Sequence, residues 1–264
     1  MERLLVLRLE ANGCVVEAVI NGVPVARVGG KQGLLTLAIH EYIVQGSNEI
    51  EMIVNPAAPG LAPASELRHC EEPASASLKL LLPRVGRPAE PATARMLAQL
   101  DWAAAAGDLH EAPLSVRQAV ELPIAFPRWR WLDAPLINLT ATLKSELAAY
   151  VLNIAAGLAR GDADPLLLAS RLRLEELAQA YQRNVSEEVM RFKQHLQQLH
   201  AAQALKPVLP QATNMLLRPI AGGRLIECLN SEGGPLLQSP IAGGARAAWP
   251  LRIASIEGRF YVLR

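Results

Sequence analysis

A chain of 264 residues that is 51% hydrophobic and 19% charged has the composition of a folded globular protein, long enough for one large or two ordinary domains. Its 26 Lys and Arg against 25 Asp and Glu leave a net charge of +1, no global field for gathering nucleic acid or anionic lipid. Glu2, Arg3, Arg8, Glu10 and Glu17 interrupt the first twenty positions and no run of about 18 apolar residues follows, while Cys14, Cys70 and Cys228 are widely spaced with no C-x-x-C pair; the expectation is a cytoplasmic protein with free thiols, no membrane span and no nucleic-acid partner.

Residues 3–9 and 14–28 are rich in Leu, Val and Ile. Asn21-Gly22 divides the second run, and this dipeptide best tolerates the two positive-φ positions of a tight hairpin turn. Further strand candidates lie at 34–44, 48–54 and 77–82, separated by Gly46-Ser47-Asn48 and a Pro/Ala-rich stretch at 55–65, with two more β-like runs near 95–102 and 115–122. Short strands at this spacing predict an antiparallel β-sandwich domain over residues 1–125. The segments VEAVINGVPVARV and YIVQGSNEIEMIV resemble the jelly-roll or immunoglobulin-like modules found beside many enzymes, a likeness of architecture over the first fifty residues.

Pro123, Pro127 and Pro135 withhold backbone donors and mark a boundary at 123–135. Beyond it Leu139, Leu143, Leu147, Val151, Ile154 and Leu158 recur at spacings of three and four, one face of a helix ending near Gly161. Asp164-Pro165 reads as the N-cap and first position of a second helix that directs Leu168, Leu172, Leu177 and Tyr181 inward. Ser186 reads as the cap of a third, with Val189, Phe192, Leu196 and Leu199 inside. From 211 onward, glycine-punctuated apolar runs at 213–218, 224–229, 235–239, 248–255 and 259–263 predict an antiparallel meander. The pentapeptide PIAGG occurs at Pro219–Gly223 and Pro240–Gly244, an interval of 21 residues that fits recurring hairpin turns. The fold class is therefore α+β: an N-terminal antiparallel β-sandwich, then a domain over 136–264 of three helices and a C-terminal β-meander. That order of elements and the closing IEGRFYVLR resemble the nuclear-transport-factor-like α+β cone, also called SnoaL-like. Its members range from isomerases and dehydratases to binding modules, so the resemblance implies a fold and no catalytic residue.

Chemistry-bearing residues are sparse. Among the five histidines, His40, His69, His110, His195 and His200, the last two are five apart, about 140° round a helix, and do not converge. His69-Cys70-Glu71-Glu72 holds ligand-type atoms, yet adjacent loop residues seldom meet on one ion, so no metal and no cofactor are expected. No nucleophile elbow, Ser-His-Asp pattern or H-E-x-x-H appears. Gly222-Gly223-Arg224 and Gly243-Gly244-Ala245-Arg246 lack the strand-to-helix context of a phosphate cradle and read as hairpin turns. Glu187 and Arg191 have the spacing of a surface ion pair. Trp129-Arg130-Trp131 is a stacking platform or interface anchor in one reading; in the preferred one, two rings wedge at the domain junction beneath an arginine stem. For a pocket in the C-terminal domain the polar candidates are Tyr181, Arg218, Arg224, Glu227 and Arg252, with facing dependent on register, because a slip of one residue reverses it.

These observations favour a non-catalytic interaction or binding protein of adaptor, accessory or immunity type, with a protein as its partner. The alternative is a small-molecule isomerase, dehydratase or carrier using the interior of the cone. Sugar binding by the N-terminal sandwich ranks last, because residues 1–90 offer only Tyr42 as an aromatic.

Overall fold

The computed structural model describes residues 4–57, 65–84, 86–87, 89–122, 126–205, 207, 209–240 and 246–264. The chain parts into two compact units between Arg128 and Trp129.

The first unit holds two four-stranded antiparallel sheets. One runs in the order β4 (Gly33–Ala38), β1 (Val6–Asn12), β7 (Ala74–Leu82), β8 (Arg95–Ala104). The other runs β10 (Leu114–Leu122), β5 (Gly46–Val54), β2 (Cys14–Ile20), β3 (Val23–Gly30). Side chains alternate across each strand, so Leu7, Leu9, Leu78 and Leu80 of the first sheet and Val16, Ile20, Ile50 and Met52 of the second all point into the shared interior and are fully buried. Each such residue contributes about 1.5–3 kcal/mol by leaving water.

The expected hairpin is present: Ile20 faces Val23, and Asn21 (φ 51°) and Gly22 (φ 75°) make the two-residue turn. The nearby Asn48 is completely buried and completely paired. Its Oδ1 accepts from Val44 N (2.8 Å) and Asn21 Nδ2 (2.9 Å), and its Nδ2 donates to the carbonyls of Val44 (3.0 Å) and Gly46 (2.9 Å), which ties the start of β5 to the hairpin. A two-stranded ribbon of β6 (Glu66–His69) and β9 (Leu109–Ala112) was not expected. Its four-residue strands carry Glu66, Arg68, His69, His110 and Glu111, and so show no apolar alternation.

The second unit contains α1 (Ala141–Ala159), α2 (Asp164–Ala169), α3 (Arg171–Ala180) and α4 (Val185–Ala201). They accompany an antiparallel sheet in the order β11 (Leu216–Ile220), β12 (Leu225–Leu229), β15 (Leu251–Ile256), β16 (Arg259–Val262). The ribbon β13 (Leu237–Pro240) and β14 (Arg246–Trp249) lies between β12 and β15 in the chain and stands apart from that sheet. The first PIAGG forms the β11–β12 turn, with Gly222 and Gly223 at φ 64° and 85°. The second lies beyond Pro240 outside the described residues, as do residues 55–65 in most of their length and Pro123.

Three helical expectations need correction. The second helix is broken at Ser170 (φ −95°, ψ 5°), giving four helices in place of three. The period therefore does not carry across the break: α2 buries Leu166 and Ala169, α3 buries Leu172 and Leu174, and Leu168 is solvent-facing. The caps also shift. Asp164 is the first helical residue, its N–H bonded to Asp162 Oδ1 (3.0 Å), and α4 is capped by Asn184, which accepts from the amides of Ser186 and Glu187. The α1 stripe stands: Leu147, Val151, Ile154 and Leu158 pack with Leu196 of α4 against Ile226, Leu251 and Ile253 of the sheet. Gly161 (φ 79°) ends the helix beneath the ring of His200, where a β-carbon would sit 2.5 Å from ring atoms. No helix among the described residues is long and apolar enough to cross a membrane.

Candidate ligand-binding face

The alternation that turns Leu7, Leu9 and Leu78 inward turns polar side chains outward on the first sheet. Cross-strand register aligns them in two adjacent rows, Leu34–Glu10–Ser77–Asp101 and Thr36–Arg8–Lys79–Gln99. Asn12 opposite Ser75 begins a third row. Of these, Glu10, Asn12, Leu34, Ser75, Ser77, Lys79 and Asp101 line a concavity of about 720 Å³, to which Trp102 and Gln32 also contribute, within the size range of small-ligand sites.

The charges of this face are internally matched. Glu10 accepts from Arg8 Nε at 2.6 Å and lies 3.8 Å from Lys79 Nζ. Asp101 accepts from Gln99 Nε2 at 2.5 Å. Two cations and two carboxylates thus present donors and acceptors with no net charge. Ser77 Oγ, between Glu10 and Asp101, has no hydrogen-bond partner among the described residues. Leu34 is 56% exposed and supplies apolar surface beside them, while the Trp102 ring leans on His110 at 5.2 Å between centroids.

The residues singled out in the second unit have other occupations. Arg218, Glu227 and Arg252 stand directly opposite one another on β11, β12 and β15, and the structure brings them together. Glu227 is buried; its Oε2 accepts from Arg218 Nε (2.9 Å) and Nη2 (2.5 Å), and its Oε1 from Arg252 Nε (3.0 Å). Their strand neighbours Ile226, Cys228, Leu251 and Ile253 point the opposite way into the helix-packed core, so the triad lies on the face of the sheet away from that core. The space between helices and sheet is filled with apolar side chains, Trp249 among them. Burial, with Glu227 adjacent, pushes the Cys228 thiol up to about 12.

Arg224 donates to the carbonyl of Ala134. Arg130 binds Glu175 at 2.6 Å and the Leu172 carbonyl at 3.2 Å, and its amide donates to Glu176 Oε1. Trp129 and Trp131 are buried, the first with the Arg264 guanidinium 5.5 Å from its ring, so neither offers a ring to a partner. Arg264 in turn binds Glu176 at 2.6 Å. Tyr181 follows the last turn of α3 with Arg183 5.3 Å from its ring centroid. The pair expected between Glu187 and Arg191 is made by Glu188, which receives both Arg191 (3.0 Å) and Arg183 (3.1 Å), because i,i+3 spacing also shares a helix face.

In the first unit, His69, Glu71 and Glu72 are exposed around the buried Cys70, beside a small cavity of about 340 Å³ that His110 and Asn55 also line. No three His, Cys, Asp or Glu side chains converge as a metal-binding group among the described residues.

The residues of the concave face went unnoticed in the sequence. Their signal is polar alternation in Arg8-Leu9-Glu10-Ala11-Asn12 and Ser75-Ala76-Ser77-Leu78-Lys79, which marks an outward face without saying that strands distant in sequence share it. No family model matches the chain, and neither the curated proteins nor the solved structures compared with it provide a match.

Proposed function

We propose that the chain is a non-catalytic binding protein whose ligand lies across the concave outer face of the first sheet, and that this ligand is a neutral polyhydroxylated molecule, a glycan. The composition of the face carries the reading. A sugar hydroxyl both donates and accepts, and a face that sets Glu10 and Asp101 beside Arg8 and Lys79 at zero net charge meets both needs. A polyanion meets two carboxylates there, and an apolar ligand leaves them desolvated and unpaired. Leu34, 56% exposed, supplies apolar surface for the C–H face of a sugar ring. Tyr42, the one aromatic of residues 1–90, is buried, so recognition on this face rests on hydrogen bonds and on Leu34 and not on a stacked ring.

The second unit supports the non-catalytic part of the reading. Arg218, Glu227 and Arg252 are engaged in ion pairs with one another, and the space where an isomerase or carrier needs a pocket is occupied by Leu, Ile, Val and Trp side chains. Three free, buried cysteines fit a reducing, cytoplasmic setting.

The test is a glycan array of neutral and acidic oligosaccharides probed with the full chain and with Ser77→Trp, which fills the concavity. Retention on neutral glycans, reduced tenfold or more in the variant at unchanged circular dichroism, is the expected result. Equal retention by both proteins, or retention on acidic glycans alone, refutes the assignment.

A further inference from the structure

A second cluster, independent of the sheet face, gathers cations without matching carboxylates. Arg171 opens α3 and Arg259 opens β16; both are exposed. Arg171 Nη2 donates to the phenolic oxygen of Tyr261 at 3.1 Å, with its guanidinium 5.2 Å from the ring centroid. Arg259 precedes Tyr261 by two residues on β16, so the two side chains leave the same face of that strand. The carboxylate that acts on Arg171, Glu175, is bound by Arg130 at 2.6 Å, and the neighbouring Glu176 is bound by Arg264. Among the described residues no ion pair joins Arg171 or Arg259 to a carboxylate of its own. Two like charges therefore stand beside one phenol, an arrangement that gains from an anion placed between them.

The geometry points to a phosphoryl-binding site in which Arg171 and Arg259 clamp one phosphoryl group beside Tyr261. Guanidinium forks match the oxygens of a phosphoryl group two at a time, and its three terminal oxygens serve both forks, whereas a carboxylate satisfies one. The site also lies at the N-terminus of the ten-residue α3, where Ser170 makes no side-chain cap and the helix dipole favours negative charge. Tyr261 reports on occupancy: the two arginines hold its ionisation below the ordinary tyrosine value, and an anion that takes up their charge raises it again. The other titratable side chains acting here are Glu175, which acts on Arg171, and Tyr150 on α1, which burial holds above the ordinary range and out of the titration.

The experiment titrates the full chain with pyrophosphate by calorimetry and, in parallel, follows tyrosinate absorbance against pH with and without pyrophosphate, using Tyr261→Phe to subtract the other tyrosines. Saturable binding, weakened tenfold or more in both Arg171→Gln and Arg259→Gln, with the Tyr261 ionisation moved upward by pyrophosphate, is the expected result. Cosedimentation with phosphatidylcholine vesicles containing phosphatidic acid separates the sources: retention assigns a lipid headgroup, and pyrophosphate binding without retention assigns a soluble phosphoester. Absence of saturable binding, equal binding by both variants, or a Tyr261 ionisation indifferent to pyrophosphate overturns the proposal.

Discussion

Replacing Glu227 with glutamine keeps the shape of the side chain and removes the negative centre on which two guanidiniums converge. The side chains of Glu227 and Arg252 are only 6% and 8% exposed, so Arg252 recovers almost no hydration when its counter-charge disappears; Arg218, at 28%, recovers part. Breaking a buried pair from one side costs about 3–5 kcal/mol, and the partial exposure of Arg218 places this case near about 3 kcal/mol. With a urea dependence of about 1–3 kcal/mol per molar, the unfolding midpoint falls by roughly 1–3 M. The second unit contains Trp129, Trp131 and Trp249, so fluorescence in a Trp102→Phe background reports on it alone. The triple variant Arg218→Met, Glu227→Leu, Arg252→Met removes every charge together and is expected to regain most of the loss. A midpoint shift in Glu227→Gln below about 0.3 M, well under the cost of an unpaired buried charge, or a triple variant as unstable as the single one, refutes the electrostatic reasoning.

Asn48→Ala strips partners from the amide of Val44, the carbonyls of Val44 and Gly46 and the side chain of Asn21 in a fully buried position, and is expected to destabilise the first unit by about 2–4 kcal/mol, read from hydrogen exchange of the β2 and β5 amides. Gly161→Ala combines a left-handed backbone with a β-carbon 2.5 Å from the His200 ring; a loss of about 1–3 kcal/mol is expected in thermal unfolding, and adding His200→Ala recovers only the clash component. Burial pushes the Cys14 thiol up and that of Cys228 to about 12, so at pH 8 about one Cys228 in ten thousand is thiolate. Ellman's reagent should therefore leave Cys14 and Cys228 of the native protein unmodified over minutes and modify both in guanidinium, while rapid native labelling of either contradicts the packing.

Local chemistry was legible in the sequence wherever one residue type fits one backbone need. Asn21-Gly22 meets two positive-φ positions, and the leucine spacing of α1 meets a single buried stripe, so both were readable from a few neighbours. The break at Ser170 was not, because Leu166 to Tyr181 continues an apolar period that the backbone does not follow. Arg218, Glu227 and Arg252 were recognisable as polar residues on strands, yet only the register of β11, β12 and β15 places them opposite one another. Trp129-Arg130-Trp131 admitted either displayed rings or packed ones, with packing preferred, and only the burial of both rings rules out display. The concave face was the least legible feature. It needs Glu10 beside Ser77 and Ser77 beside Asp101, pairings made by a topology that sets β1 next to β7 and β7 next to β8, and no local pattern encodes that adjacency.

The most direct measurement of the central claim is a ¹⁵N–¹H chemical-shift titration of the full chain with the neutral oligosaccharide that scores highest on the array. The account predicts saturable shifts confined to Glu10–Asn12, Gln32–Leu34, Ser75–Lys79 and Asp101–Ala103. Saturable shifts confined to the second unit, or no shifts at millimolar oligosaccharide, contradict it.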